Sequence, residues 1–290
     1  MKSGFVNIIG KPNAGKSTLL NALIGEKLAI VSSKVQTTRH RIRAFLNGPD
    51  YQVVFSDTPG VIEPKYKLHQ KMMDAVKSSM EDADVCLLMA DVRDDFEELD
   101  ALFSALSLKV KAILVLNKID MVKPARIEEA ISFFSNKKYC TDIIAVSASK
   151  KSHLDALLQK IIASLPDGEP FYDQDDLTDM PTRFFCGELI REKIFELFDE
   201  EIPYQSTVLV TAFEEKSTLI KISADIIVQR ESQKAIILGA GGIMIKKLGT
   251  SARQSIELFL DSKVFLEIFV RVRNNWRNND SHLREYGYHV

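Results

Sequence analysis

Short apolar runs alternate with amphipathic segments along the first 166 residues of this 290-residue chain. The runs have the length of strands, and most segments between them repeat apolar residues at helical spacing. This alternation predicts an α/β domain with a mostly parallel, doubly wound sheet. The predicted strands are Phe5–Ile9, Ile42–Leu46, Val53–Phe55, Val85–Ala90, Ala112–Leu116 and Ile143–Val146.

A different pattern follows residue 181. Apolar residues at helical spacing over 182–199 precede two strand-like runs, a glycine-rich segment, a further helical run and a last strand. The order α-β-β-α-α-β predicts a second, smaller α+β domain. Its later elements are predicted at Ser206–Phe213, Thr218–Val228, a helix over about 250–260, and Val264–Val272.

An acidic segment separates the two patterns. Residues 167–180 carry six acidic side chains and no basic one, and Pro166 and Pro181 bracket them. Such a stretch is typical of a linker, and the chain is long enough for two domains with separate cores. We therefore predict a first domain over 1–166, a linker over 167–181 and a second domain over 182–290.

Composition narrows the class of protein. An apolar fraction of 46%, a charged fraction of 27% and a net charge of −2 are ordinary globular values. Cys86, Cys140 and Cys186 lie far apart in the sequence, which favours neither a disulfide framework nor a zinc site. The sequence shows neither a signal peptide nor an apolar run of about 18 residues, so a cytoplasmic protein is expected.

The segment Gly10–Thr18 matches the phosphate-binding loop, G-x-x-x-x-G-K-[ST], between a predicted strand and the helical run Leu19–Ile24. A glycine-rich turn before a helix points backbone N–H groups and the helix dipole at an oxyanion. Lys16 is expected to reach the β- and γ-phosphates of a nucleotide, and Ser17 to hold Mg²⁺. The predicted nucleotide-binding residues of this loop are Gly10, Asn13, Ala14, Gly15, Lys16, Ser17 and Thr18.

Two segments after this loop have the features of nucleotide-sensing switches. Asp57-Thr-Pro-Gly60 follows a predicted strand, which would let Asp57 reach Mg²⁺ through water and the Gly60 N–H meet the γ-phosphate. The polar segment 31–41 contains Thr38 and, as the near alternative, Thr37, one of which would join the metal shell when GTP is bound. We assign Lys16, Thr38 and Gly60 to catalysis, and Ser17, Thr38 and Asp57 to the metal.

The sequence Asn117-Lys118-Ile-Asp120 after the fifth predicted strand indicates guanine as the base. A carboxylate at Asp120 can accept hydrogen bonds from N1–H and the 2-amino group of guanine, and adenine offers neither donor. Asn117 and Lys118 are expected to tie this segment to the phosphate loop, with the lysine stem along the base. Ser147 and Ala148 follow the last strand, and the Ala148 N–H is expected at guanine O6. GTP and GDP are therefore the predicted ligands.

Val61 directly follows Gly60, at the position where Ras-like GTPases carry a water-orienting glutamine. A valine side chain neither donates nor accepts a hydrogen bond, so slow intrinsic hydrolysis is expected. A K⁺ ion held partly by Asn13 is the candidate that would orient water in place of the glutamine.

The glycine-rich segment Ala235–Gly249 has two functional interpretations. As G-x-G-x-x-G it would bind a dinucleotide, but Met244 occupies the third glycine position and the flanks favour helix–turn–helix. As G-x-x-G between two helices it predicts a KH site, where the RNA backbone approaches the glycines and unpaired bases lie in an apolar groove. A plain turn between helices is the third alternative. The predicted RNA-binding residues are Ile237, Leu238, Gly239, Gly242, Ile245, Lys246 and Lys247.

With Gln36–Arg41, Glu188–Lys193 and the C-terminal Val270–Arg277, these motifs resemble the Era family of bacterial ribosome-assembly GTPases over essentially the whole chain. The resemblance implies a Ras-like P-loop GTPase domain and a type II KH domain that binds the single-stranded 3′ end of 16S rRNA and assists 30S subunit assembly. It also implies contact with the inner face of the cell membrane, and we expect a monomer. The alternatives are a signalling GTPase whose second domain binds protein or membrane, and a nucleotide-dependent RNA-modifying enzyme.

Overall fold

The computed structural model describes residues 1–288, so the last two residues of the predicted second domain lie outside the described range. Two compact units are present. The first comprises Met1–Glu63 and Met72–Asp179, and the second comprises residues 64–71 and the described residues 180–288. The division into domains at 1–166, 167–181 and 182–290 stays a prediction.

A six-stranded sheet forms the centre of the first unit, in the order β2-β3-β1-β4-β5-β6. Strand β2 is antiparallel to β3, and the other neighbouring strands are parallel. This confirms the predicted doubly wound α/β fold. The strands are β1 (Lys2–Gly10), β2 (Ile42–Gly48), β3 (Tyr51–Asp57), β4 (Val85–Asp91), β5 (Lys111–Asn117) and β6 (Asp142–Ala145), and the helices are α1 (Lys16–Ile24), α2 (Lys67–Glu81), α3 (Phe96–Ala105), α4 (Pro124–Phe134) and α5 (Leu154–Ser164). Only the part of α2 from Met72 onward belongs to the first unit.

The central strands are buried, which explains why their sequences are almost continuously apolar. All seven residues of β4 are buried, as are six of the seven in β5. Four residues stand at the carboxyl ends of parallel strands: Gly10 ends β1, Asp57 ends β3, Asp91 ends β4 and Asn117 ends β5. Because parallel strands end at the same edge of a sheet, these four positions share one edge.

The acidic segment 167–179 packs along the β2–β3 side of the first unit. The Gln52 side chain accepts a hydrogen bond from the Tyr172 N–H at 3.1 Å, and the Tyr172 ring stacks on Phe45 with 3.9 Å between centroids. The Phe45 N–H donates to the Leu177 carbonyl at 2.9 Å. The segment therefore covers the edge strand β2, whose backbone groups are otherwise open to pairing with another chain.

The second unit contains a three-stranded sheet in the order β7-β8-β9, in which β7–β8 is antiparallel and β8–β9 parallel. Its helices surround a buried core that includes Ile190, Ile226 and Ile256. The order of the main elements confirms the predicted α-β-β-α-α-β pattern. They are α6 (Thr182–Leu197), α7 (Ile202–Gln205), β7 (Thr207–Glu215), β8 (Ile220–Val228), α8 (Glu231–Leu238), α9 (Ile243–Leu260), β9 (Val264–Val272) and α10 (Asp280–Glu285).

Helix α9 begins at Ile243, earlier than the start near residue 250 that the sequence predicted. Gly249 lies inside this helix, where a Cβ would stand 3.8 Å from Ile268 of β9. A Cβ at that distance would make an ordinary contact, so the helix continues through Gly249, and the residue that caps its start is Gly242, whose φ of 79° is left-handed.

Residues 64–71 join the second unit from a distant part of the chain. The Arg277 guanidinium carbon lies 4.2 Å from the centre of the Tyr66 ring. The Lys67 N–H donates to Asn278 Oδ1 at 3.2 Å, and its ammonium pairs with Asp280 at 2.5 Å. We call these five residues the clasp.

Within residues 1–288, no single helix is long and apolar enough to cross a membrane, and the bent pair formed by Glu231–Leu238 and Ala240–Leu260 passes that test by length and composition.

Candidate functional site

The phosphate-binding loop connects β1 to α1, as predicted. Two of its positions require glycine. A Cβ on Gly10 would lie 2.3 Å from the Met89 carbonyl oxygen, and one on Gly15, with φ of 97°, would lie 2.2 Å from Asn117 Nδ2. The loop is therefore pressed against the ends of β4 and β5, with its backbone N–H groups at the start of a helix where an anion is favoured.

Lys16 lies at the floor of a cleft of about 380 Å³. Its ammonium donates to the carbonyl oxygens of Gly10 at 3.2 Å and Lys11 at 2.9 Å. Burial lowers the pKa of Lys16 to about 8, although nearby Asp57 acts in the opposite direction. The cleft is lined by Pro12, Asn13, Gly15, Lys16, Ser17, Thr18, Ile30, Val31, Ser32, Ser33, Gln36, Thr37, Thr38, Gly60, Arg93 and Lys118.

Three side-chain oxygens converge at the predicted metal site. Ser17 Oγ lies 2.6 Å from Asp57 Oδ2 and 2.8 Å from Thr38 Oγ1, and Thr38 Oγ1 is 3.4 Å from the same carboxylate oxygen. Asp57 Oδ1 is buried and has no hydrogen-bond partner among the described residues. Burial raises the pKa of Asp57, against the bonds from Ser17 and Thr38. A hard cation such as Mg²⁺ would satisfy these oxygens and stabilise the ionised carboxylate, so the residues fit it.

The same geometry distinguishes the two threonines of the polar segment 31–41. Thr37 Oγ1 donates to the Lys34 carbonyl at 2.7 Å, within its own segment, whereas Thr38 reaches the metal group. This favours Thr38 as the metal ligand. Within residues 1–288 there is no cluster of three or more His, Cys, Asp or Glu side chains that could hold a metal ion.

Gly60 lies directly against the phosphate loop, because a Cβ there would be 2.7 Å from the Pro12 nitrogen. The next residue, Val61, donates its N–H to the Gly10 carbonyl at 3.1 Å. Its side chain packs against the apolar core around Ile9. Val61 is therefore a packing residue and offers no polar atom that could orient water.

The predicted base site brings three loops together. Asn117 Nδ2 donates to the Ala14 carbonyl at 2.9 Å, and Asn117 Oδ1 accepts from the Ala148 N–H at 3.0 Å. The Ser147 hydroxyl donates to Asp120 Oδ1 at 2.5 Å, which leaves the second carboxylate oxygen for a base. The prediction that Ala148 meets guanine O6 stays a prediction, since its N–H here bonds to Asn117.

Sequence reasoning missed two charged residues at this edge, Asp91 and Arg93. Arg93 lines the cleft, and Asp91 bonds to both Arg93 and Lys118. The available signal was the position of Asp91 at the end of an apolar strand, which is the same signal that identified Asp57 and Asn117.

Asn13 is hydrogen-bonded to the polar segment 31–41. Its φ of 63° is left-handed, and its Nδ2 donates to the Ser33 carbonyl at 2.7 Å. Because Nδ2 is committed to Ser33, the acceptor oxygen Oδ1 of the amide is the atom available to a cation.

In the second unit, the predicted G-x-x-G turn connects α8 to α9. Gly239, Gly241 and Gly242 have φ values of 71°, 59° and 79°. A Cβ on Gly239 would lie 2.7 Å from Met244 Cγ, whereas one on Gly242 would meet only Ile245, at 3.9 Å. Gly239 is therefore required by packing, and Gly242 leaves open space on the surface of the turn.

A groove of about 310 Å³ follows this turn, between α9 and β9. Of the predicted RNA-binding residues, Ile237 is buried, Leu238 and Ile245 are half-buried, and Lys246 and Lys247 are exposed. Ile237 therefore belongs to the core, and the two lysines are open to solvent. The groove is lined by Ile245, Lys246, Gly249, Thr250, Arg253, Leu266 and Ile268, of which the last five were missed because they follow the motif.

Comparison with known proteins gives consistent matches over the whole chain. A family model described as a 50S ribosome-binding GTPase matches residues 5–118, and one described as a KH domain matches 201–277. GTPase Era of Geobacter sp. (strain M21) is 44% identical over 290 residues, covering 99% of this chain and 98% of its own.

Two crystal structures are also similar, each covering 100% of both chains at 38% identity. One is a variant of Aquifex aeolicus Era bound to GDP.AlF4⁻, with a TM-score of 0.96. The other is Era in complex with MgGDPNP and nucleotides 1506–1542 of 16S ribosomal RNA, with a TM-score of 0.95.

Proposed function

The chain belongs to the Era family of GTPases, and we propose that it is a Mg²⁺-dependent GTP-hydrolysing switch whose second unit binds the single-stranded 3′ end of 16S rRNA. We further propose that it assists assembly of the 30S subunit as a cytoplasmic monomer that contacts the inner face of the cell membrane.

The residues of the first unit divide the work of hydrolysis among themselves. The phosphate-loop N–H groups and the Lys16 ammonium stabilise negative charge on the β- and γ-phosphates, which grows at the oxygen leaving the γ-phosphoryl group. Mg²⁺, held by Ser17 and Thr38 with Asp57 behind them, would supply further charge at the same phosphates. Gly60 offers a backbone N–H on the γ-phosphate side, and Asp120 selects guanine.

We propose that Val61 makes this site by itself a slow catalyst. Its side chain is apolar and packed, so water must be oriented by other groups. We propose K⁺ at Asn13 Oδ1 as one of them.

We expect K⁺ to stimulate GTP hydrolysis more than Na⁺, because the larger ion would be held by Asn13 Oδ1 beside the phosphates. Asn13→Ala should remove the difference between the two salts, while hydrolysis in Na⁺ changes little. Turnover is measured in the two chlorides at equal ionic strength. Equal wild-type rates in both salts would refute the role of K⁺.

One observation carries the proposed RNA binding. The G-x-x-G turn has left-handed glycines at the start of α9, Lys246 and Lys247 are exposed shortly after it, and Lys246 also lines a partly apolar groove. A nucleic-acid backbone can approach such a turn closely, and unpaired bases suit a groove of mixed character.

Gly242→Asp tests this proposal. Aspartate tolerates left-handed φ better than most residues, and a Cβ at this position meets no close neighbour, so the fold should survive. The carboxylate would repel phosphate, and affinity for a single-stranded RNA of the 16S 3′-end sequence should fall by about thirtyfold. RNA-stimulated hydrolysis should also disappear, while GTP binding persists.

The matched control is Gly242→Asn, which has the same shape without the charge and should lose much less affinity. A scrambled RNA of equal length measures sequence preference. Unchanged affinity in a folded Gly242→Asp variant would refute RNA binding at this turn and favour the alternative in which the second unit binds protein or membrane.

A further inference from the structure

Asp91 lies at the edge of the sheet where the nucleotide-binding loops meet, and no motif accounts for it. It ends β4 and is paired in register with Asn117, the last residue of β5. Its side chain is buried, with a residue exposure of 6%. A buried carboxylate requires partners, and Asp91 has two cationic ones.

The first partner is Lys118, whose ammonium lies 2.8 Å from Asp91 Oδ2. The same ammonium donates to the Asn13 carbonyl at 2.6 Å, and the Lys118 backbone has a left-handed φ of 66°. Lys118 is therefore held at both ends: its backbone is fixed by the turn after β5, and its ammonium lies between the end of β4 and the phosphate loop.

The second partner is Arg93, which binds the carboxylate with two nitrogens, Nη2 at 2.6 Å and Nε at 2.9 Å. The Arg93 side chain is 43% exposed and that of Lys118 only 23%. Because solvent screens exposed pairs, the Lys118 pair is the stronger candidate for an energetic role. Burial of Asp91 acts to raise its pKa, but the bonds from Arg93 and Lys118 outweigh it and lower the pKa to about 2, so the carboxylate stays ionised at neutral pH.

We propose that Asp91 is a positioning residue for guanine-nucleotide binding, which fixes the Lys118 ammonium so that the lysine stem forms a wall of the base site. Asp91 itself touches neither base nor phosphate. This inference rests on the assignment of Lys118 to the base site. Since the network lies beside the base-recognition segment rather than at Lys16 and Ser17, it acts equally on GDP and GTP.

Asp91→Asn tests the proposal, because it keeps the shape and removes the charge. We expect dissociation of fluorescent GDP and of a fluorescent GTP analogue to accelerate by the same factor, about tenfold. The substitution should raise the KM for GTP and leave kcat unchanged, whereas a general loss of structure would lower kcat. The matched control is Asp155→Asn, the same change of charge on an exposed side chain in the first turn of α5, and it should leave both rates unchanged.

Lys118→Met gives an independent measurement, since it keeps the apolar stem and removes the ammonium that Asp91 holds. The double variant Asp91→Asn/Lys118→Met should be no worse than Lys118→Met alone, because removal of the ammonium already breaks its link to Asp91. Wild-type dissociation rates in Asp91→Asn, or additive losses in the double variant, would overturn the proposal.

The test also separates this inference from the assignment of the fold to guanine-nucleotide binding. A wild-type protein that binds no guanine nucleotide would refute the whole site. Tight binding by wild type and by a folded Asp91→Asn variant would refute the role of Asp91 alone. If Asp91→Asn lowers the melting temperature, Lys118→Met with Asp91 intact decides, because the proposal requires it to lose affinity while retaining the stem.

Discussion

Replacing Asp120 with asparagine is expected to change the preferred nucleotide of this protein from GTP to XTP. One Asp120 oxygen accepts from Ser147 at 2.5 Å, and the other is left to accept from the base. An amide in its place can donate to the 2-oxo group of xanthine but cannot accept two hydrogen bonds from guanine. Because unpaired polar groups in such a site discriminate strongly, the GTP-to-XTP affinity ratio should fall by about 10³-fold or more.

Competition of the two nucleotides for the purified variant measures this ratio directly. Asp155→Asn, at an exposed position in the first turn of α5, is the matched control and should keep the wild-type preference for GTP. A variant at 120 that still prefers GTP would show that another group recognises the base.

Lys16→Ala should abolish tight GTP binding and leave the fold intact. The substitution removes the ammonium at the floor of the cleft and no apolar contact of the core. Two charge-assisted hydrogen bonds to phosphate are lost, for which we expect about a hundredfold weaker binding. Lys11→Ala is the matched control, because Lys11 pairs with exposed Glu98 and contributes only its backbone carbonyl to Lys16.

The lowered pKa of Lys16 adds a second, independent readout. Phosphate binds the protonated lysine, and the free protein loses this proton as pH rises through about 8. Affinity for GTP should therefore fall with rising pH in this range, and the fall should be absent in Lys16→Ala. Identical pH profiles for wild type and variant would contradict the role of Lys16.

The strands were predictable because each is a compact apolar run, and the nucleotide site followed because its motifs lie at strand ends. Asp57, Asn117 and Ser147 were found in this way. Asp91 occupies an equivalent position but forms no known motif, and its meaning depends on an ion pair with Lys118 that only the folded sheet creates. That β4 and β5 lie side by side depends on the topology of the sheet, which the pattern of apolar and polar residues within each strand does not reveal.

The remaining differences have similar causes. Gly249 has the same local signature as a helix end, yet helix α9 continues through it from Ile243 to Leu260. The acidic segment 167–179 has the composition of a linker, yet Tyr172 stacks on Phe45 far away in sequence. The composition of such a segment is dominated by its many solvent-facing side chains. It does not identify the few side chains, such as Tyr172, that anchor the segment to the domain.

The clasp joins two stretches of sequence that lie far apart, so the second unit is discontinuous in sequence. Lys67 and Asn278 are separated by 211 positions, so the unit closes through a contact of very high sequence separation, and this should be a late step in folding. A C-terminal fragment that begins at residue 180 also lacks Tyr66 and Lys67, which leaves Arg277 and Asp280 without these partners. An expression fragment intended to reproduce the second unit therefore needs residues 64–71 joined to it by a flexible linker. These residues belong to the second unit in the structure, although the sequence on both sides of them belongs to the first.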